Sequence, residues 1–275
     1  MNIAISGASG FIGRHLLESL ARAGHPPHAL TRGAPPVECD VVIHLAGEPL
    51  AQRWTAAARR RIRESRVAGT RNLVEALATL TRRPEALICA SAIGYYGSRG
   101  DEILTESSAP GSGFLPELCV AWETEAQAAE ALGIRVVRVR TGLVLDARGG
   151  ALPRMLPPFR MGVGGRLGSG RQWMSWIHLE DLTALLLFAV ENRFQGPLNA
   201  VAPHPVTNAD FTRELARALR RPALFPVPEF ALRLLFGEMA DVLLDSQRVA
   251  PAAAEAAGFR FRFPQLPPAL AALLR

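Results

Sequence analysis

No lysine occurs anywhere in the 275 residues, so all 31 basic side chains are arginine. Any proton-transfer scheme that depends on a lysine ammonium is excluded at the outset. Phenols are almost as scarce: the only two tyrosines are the adjacent Tyr95 and Tyr96. The three cysteines, Cys39, Cys89 and Cys119, are widely spaced, odd in number and free of any C-x-x-C pair, which excludes a disulfide framework and a zinc site. The six histidines include no H-E-x-x-H, and His25 with His28 make only an incidental H-x-x-H, so no metal is expected. Long apolar runs are missing too. The longest, "ALLLFAV" at 184–190, falls far short of the roughly 20 residues that span a bilayer. The first residues, "MNIAISG", carry no basic region ahead of the apolar ones, so a cytoplasmic protein without a secretory signal is expected.

The net charge of +6 raises the question of nucleic acid. Its densest basic cluster, "RRRIRESR" at 59–66, is interrupted by Glu64 and shares a helical pattern with inward Ile62, Leu73 and Leu77. It reads as a solvated helix face, and with no aromatic platform beside it no nucleic-acid partner is expected.

What the chain does contain is an alternation of buried strands and amphipathic helices. Residues 2–6, 25–32, 40–47, 85–92, 134–145 and 197–202 read as strands; 11–23, 55–80, 115–132 and 179–192 read as helices. That alternation specifies an α/β fold with a doubly wound parallel sheet. Residues 147–172, rich in Gly, Pro and Arg, read as a long loop. From Pro203 onward, prolines and short helical pieces mark a small C-terminal lobe. The expected organisation is a nucleotide-binding domain over 1–146, completed by 173–202, with 147–172 and 203–275 as the substrate lobe.

The first strand runs directly into Gly7-x-x-Gly10-x-x-Gly13 and a helix. Glycine lets the backbone approach a pyrophosphate closely, and the free N–H groups of a helix N-terminus favour the anion. A dinucleotide is therefore expected. The carboxylate that would grip a ribose 2′-hydroxyl should end the second strand, which ends instead in Thr31-Arg32-Gly33. Arginine suits a 2′-phosphate, so NADP(H) is expected over NAD(H).

The glycine turn, "HLAG" (44–47), "RVAGTRNLVEAL" (66–77) and "SAIGYYG" (91–97) resemble the extended short-chain dehydrogenase/reductases. "GGRLGSGRQWMSWIHLEDL" (164–182) and "FGEMADVLLDSQRVAPAAAEAAGF" (236–259) resemble one atypical branch, the predicted nucleotide-sugar epimerases sometimes labelled cell-division-inhibitor-like, with their own C-terminal domain of unknown function. The resemblance implies a Rossmann-type fold. It places Gly7, Ser9, Gly10, Phe11, Ile12, Gly13, Thr31, Arg32, Leu45, Ala46, Gly47, Ser91 and Thr141 on the cofactor. It also implies a homodimer through the helices at 55–80 and 115–132. The chain departs from such relatives between Arg32 and the strand at 40, where only Gly33–Cys39 intervene. An edge strand is expected to be missing, leaving the second strand at the edge.

Relatives use a serine with Tyr-x-x-x-Lys, the lysine lowering the phenol's pKa. Here the best register, in "FLPELCVAWETEA" (114–126), sets Cys119 at the tyrosine position and Glu123 at the lysine position. A carboxylate there raises a neighbouring acid's pKa rather than lowering it. The remaining candidates are Ser91 (or Ala92, in the alternative register), Tyr95 or Tyr96 beside Arg140, Cys119 as an acid and Glu123 as a base. In the 164–181 segment, Arg166, Arg171, Trp173 and Trp176 have the makings of a clamp for a nucleotide-linked small-molecule substrate, whereas Asp181 reads as a local hydrogen-bonding residue. Two readings follow: an NADP(H)-dependent oxidoreductase or nucleotide-sugar epimerase, or a catalytically silent NADP(H) sensor.

Overall fold

Strands β1 (Ile3–Ser6), β2 (Pro27–Leu30), β3 (Val41–His44), β4 (Ala86–Ala92), β6 (Arg135–Thr141) and β10 (Gly196–Ala200) pair in parallel in the order β10-β6-β4-β3-β1-β2. This computed structural model describes residues 1–31 and 38–274. Among the described residues β2 is an edge strand, which suits the prolines at its start, because a strand with a free side can lack a donor. Alternate residues of the strands serve opposite faces. Ile3, Ile5, Ile43 and Val137 pack under helices α1 (Phe11–Arg22) and α5 (Leu179–Glu191), while Ala4, Val42, Leu87 and Val136 meet α2 (Ala56–Ala78) and α3 (Phe114–Gln127). Helix α2 starts at Thr55, whose hydroxyl accepts the N–H of Ala58 at 3.2 Å.

The predicted strand 134–145 breaks at Gly142. A Cβ there would lie 2.6 Å from the Ser175 carbonyl oxygen. Past that close approach the chain leaves the sheet as β7 (Leu143–Leu145), which pairs with β9 (Trp176–His178). The predicted loop 147–172 contains α4 (Leu152–Arg160), a helix that tolerates Pro153 in its first turn and Pro157 and Pro158 within it. The predicted helix 115–132 ends at Gln127, followed by a tighter turn over Ala128–Leu132.

A second core surrounds Trp176 and Phe211, built by α4, α6 (Asn208–Leu219) and α10 (Leu266–Leu273). Phe236, at the end of α7 (Glu229–Phe236), and Met239, just before α8 (Ala240–Leu244), join Trp54, Ile62 and Leu118 in a separate apolar cluster, while α9 (Ala252–Ala256) packs back against the main sheet. Two further short pairings join the C-terminal residues to earlier parts of the chain: β5 (Ile103–Leu104) with β12 (Arg248–Val249), and β8 (Trp173–Met174) with β11 (Val206–Thr207). Among the described residues no helix is long and apolar enough to cross a membrane.

Candidate functional site

The strand register sets Ser6, Leu30 and His44 in one row at the carboxyl edge of the sheet, with β4 and β6 reaching beyond it to Ala92 and Thr141. The chain turns to opposite sides of β1, so the crevice that doubly wound sheets offer a ligand opens beside that strand. Gly7 lies there at φ +77°, and a Cβ on it would be 2.8 Å from the Ala46 nitrogen. Gly13 is packed harder, its missing Cβ only 2.2 Å from the Gly7 oxygen. Gly10 caps α1 with no side chain and α1 has no acidic residue in its first turn, so among the described residues the opening N–H groups have no side-chain partner. Ser9, Gly10 and Gly47 are exposed; Phe11, Ile12, Leu45, Ala46 and Thr141 are half-buried around the same edge. Phe11 is lidded by Gly149 and Gly150, whose added Cβ atoms would meet its ring at 2.2 and 2.8 Å. Thr31 is exposed, and Arg32, the residue expected to choose the 2′-phosphate, lies outside the described residues.

Beneath this edge runs a buried polar chain. The Ser6 hydroxyl and His44 Nδ1 are 2.5 Å apart, His44 Nε2 is 3.0 Å from the Thr70 hydroxyl, and Trp122 Nε1 donates to Thr70 at 2.9 Å. Burial holds the His44 pKa down to about 4, so the ring is neutral at neutral pH and ties β1 and β3 to α2.

Two of the residues expected at the catalytic positions, Ser91 and Glu123, meet in a buried network with Arg140. Ser91 Oγ donates to Glu123 Oε1 at 2.7 Å. Arg140 grips both Glu123 oxygens at 2.8 Å, then reaches Tyr96 Oη at 3.0 Å, and the Tyr96 hydroxyl donates to Asn199 at 2.6 Å. Burial lowers the Arg140 pKa, but its hydrogen bonds and charge pairing with Glu123 outweigh this and leave it raised. With both oxygens taken, Glu123 is an ion-pair partner and not a free base. Cys119 is 2% exposed, and burial, reinforced by the Glu123 charge, pushes its thiol up to about 12. It is a packed core residue, not a poised acid. Tyr96 is fully enclosed, with its phenol pushed up by burial. Tyr95 is different: half-buried, its ring rests on the Arg140 guanidinium at 3.4 Å, and its hydroxyl bonds to no described residue.

The four proposed clamp residues do not converge. Trp176 is 0% exposed inside the lobe core, with Nε1 on the His204 carbonyl, so it presents no surface to a substrate. Trp173 donates to Asp101 at 2.6 Å beneath Arg248. Arg166 and Arg171 are exposed. Asp181 accepts the backbone N–H groups of Arg262 and Phe263, a local hydrogen-bonding role.

Two residues escaped the reading of the sequence. Arg66 is not on the solvated face of its cluster but 8% exposed, one turn from Ile62 and one from Thr70 on the inward side of α2. The i, i+4 spacing from Ile62 is the signal that would have found it. Asp245, at the end of α8, has a carboxyl pushed from 3.8 up to about 6 by burial, with Asp241 adding to the shift and Arg233 opposing it. A folded-state pKa above the unfolded one gives stability that is present below pH 3.8 and lost as pH rises through about 6. Asp245→Asn is therefore expected to match the wild type near pH 4 and exceed it by about 1 kcal/mol above pH 7, after discounting for partial exposure. Thermal unfolding of both proteins from pH 4 to 8 checks this; parallel curves would refute it.

Against known proteins, the model of the NAD-dependent epimerase/dehydratase family matches residues 3–201, and that of a C-terminal domain of unknown function matches residues 227–273. The chain is 43% identical to the epimerase family protein Mb2239 of Mycobacterium bovis, over 94% of this chain and 93% of that one. The crystal structure of the human epimerase family protein SDR39U1 (isoform 2) with NADPH superposes with a TM-score of 0.93 at 33% identity, covering 100% and 99% of the two chains. A structure described as a nucleoside-diphosphate sugar epimerase from Corynebacterium glutamicum superposes with a TM-score of 0.83 at 37% identity, covering 100% of this chain and 58% of that one.

Proposed function

The chain belongs to the NAD-dependent epimerase/dehydratase family, and we propose that it is an NADP(H)-dependent oxidoreductase or epimerase acting on a small nucleotide-linked substrate without the usual Tyr-x-x-x-Lys pair. The observation that carries this reading is the bare N-terminus of α1, opened by Gly7 and Gly10 at the switch point of the sheet. Its free N–H groups would hold the diphosphate, with Leu45–Gly47 along one side. The NADPH in the human relative supports the choice of NADP(H), and the description of the C. glutamicum relative supports a nucleotide-linked substrate. When bound, the cofactor supplies or removes a hydride.

Arg140 is committed to Glu123, which fixes the guanidinium under the ring of Tyr95, the phenol whose hydroxyl bonds to no described residue. Tyr95 is the residue we assign to proton transfer. Ser91 is held near the end of β4 by Glu123, and in this reading it would lie toward the substrate.

One observation favours a second reading, an NADP(H)-binding regulator without turnover: Glu123 and Cys119, the residues in the positions of the lysine and tyrosine, are both sealed. The purified protein, NADP⁺ or NADPH, and a small-metabolite extract of its own cells separate the two. Absorbance at the nicotinamide band and mass spectrometry are expected to show one metabolite consumed, and Tyr95→Phe is expected to slow that consumption at least about 100-fold. An unchanged extract, beside NADP⁺ and NADPH bound with different affinities, would establish the regulator instead.

A further inference from the structure

Among the described residues, every large apolar side chain that is at least half exposed, Ile103 apart, lies in two stretches: Met161 and Val163, then Leu224, Phe225, Phe230, Leu234 and Leu235. The two stretches are neighbours. The Phe225 N–H donates to the Gly164 carbonyl at 3.3 Å, and a Cβ on Gly162 would stand 3.8 Å from Pro222 Cγ. Helix α7 follows directly, with Leu232 as its buried residue. Single apolar residues on a surface need no explanation, but a group of them marks a contact.

Beside them, between Arg166, α6 and residues 221–226, opens a surface cavity of about 550 Å³. Arg166, Arg213 and Arg221 line it with Leu224, Thr212 and small apolar residues, and none of its lining residues is acidic or aromatic. Arg213 is paired with Asp210 at 2.6 Å, and Glu214 is shared between Arg213 and Arg217. Arg166 and Arg221, both exposed, have no carboxylate within ion-pair distance among the described residues, and neither has Arg160, next to Met161. No residue of the glycine turn, of the β1 and β3 ends or of the Ser91–Arg140 network lines the cavity, so it is separate from the crevice.

The occupant must bring negative charge to the unpaired guanidinia and an apolar medium to the side chains around them. A second copy of this chain brings only the latter, since face-to-face docking would set the arginines of the two copies against each other. Nucleic acid stacks its bases on aromatic side chains, which the cavity lacks. A bilayer with anionic headgroups brings both, its phosphates level with the arginines and its acyl chains beneath them. We propose that this face seats the protein on an anionic lipid surface, with Arg166 and Arg221 on headgroup phosphates and the neighbouring apolar side chains inserted between the lipids.

The test is co-sedimentation of the full-length protein with vesicles of phosphatidylcholine alone, or of phosphatidylcholine and phosphatidylglycerol in equal parts. The wild type is expected to bind the anionic vesicles, not the neutral ones, and to be released as salt rises. Arg166→Gln with Arg221→Gln is expected to weaken that binding at least about tenfold, and Met161→Ser with Leu224→Ser likewise. All four side chains are exposed, so wild-type circular dichroism is expected of both pairs. A wild type that binds neither vesicle overturns the proposal, as do folded variant pairs that bind like the wild type. Calorimetric binding of inorganic phosphate without vesicle binding assigns the cavity to a soluble anion instead. A dimer in sedimentation velocity that Met161→Ser with Leu224→Ser dissolves, again without vesicle binding, assigns the face to a second copy and overturns the lipid reading.

Discussion

Arg140→Met is expected to cost about 3–5 kcal/mol of folding stability, which for a chain of this size lowers Tm by roughly 10 °C. The substitution removes both charge-assisted bonds to Glu123 and the bond to Tyr96, and it takes the cation from beneath the Tyr95 ring. What remains is a carboxylate at 4% exposure with the Ser91 hydroxyl and, at 3.6 Å, Arg138 for company. A buried charge stripped of its close partner is more costly than no charge at all, and that asymmetry supplies the test. Glu123→Gln is expected to cost less, because its amide oxygen still accepts from Arg140. The double variant Glu123→Leu with Arg140→Met is expected to be more stable than Arg140→Met alone, since its buried carboxylate is gone. Denaturant unfolding of these proteins together with the single variant Glu123→Leu completes the cycle. An Arg140→Met protein within about 1 kcal/mol of the wild type would show that the pair does not hold the site together. The same set bears on chemistry: a stable Glu123→Gln that retains turnover excludes Glu123 as the base.

The reason this pair could not be read from the chain is geometric. Glu123 lies on α3 and Arg140 on β6, and only the packing of that helix across the sheet brings them together. The register of the tyrosine–lysine motif did mark Glu123 as anomalous, and Arg140 was singled out, but as a partner for a tyrosine; it serves both. The sheet was legible because its central strands are buried on both faces and so read as near-continuous apolar runs, such as "VVIH". The same property hid the break at Gly142, since Leu143–Leu145 continues the apolar run while pairing elsewhere. Helix α4 was masked by its three prolines, whose missing donors normally argue against a helix. Trp176 shows the limit for the site: composition cannot tell a tryptophan that faces a ligand from one that fills a core. The glycine turn was legible because its constraint is local. Gly7 is required by the adjoining strand end and Gly13 by backbone a few residues away.

That constraint can be separated from ligand binding at one position, Gly10. Its backbone is extended, φ −72° and ψ 175°, a conformation open to any residue, and an added Cβ would be 3.1 Å from the Gly7 oxygen, a contact needing a shift of a few tenths of an ångström. Gly10→Asp places a carboxylate over the first N–H groups of α1. Aspartate is a favoured cap and complements the helix dipole, so stability without cofactor is expected to stay within about 1 kcal/mol of the wild type. The same carboxylate occupies and repels the position of the diphosphate, so NADPH affinity is expected to fall by about 100-fold or more. Gly10→Ala carries the same added Cβ without the charge and is expected to lose far less affinity. Thermal unfolding of the cofactor-free proteins and NADPH fluorescence titration give both quantities. If Gly10→Asp binds NADPH as the wild type does, the N-terminus of α1 does not hold a phosphate. If it unfolds, Gly10→Ala reports whether the Cβ contact is responsible. Only a stable protein that has lost NADPH shows that this helix end is left uncapped for a ligand.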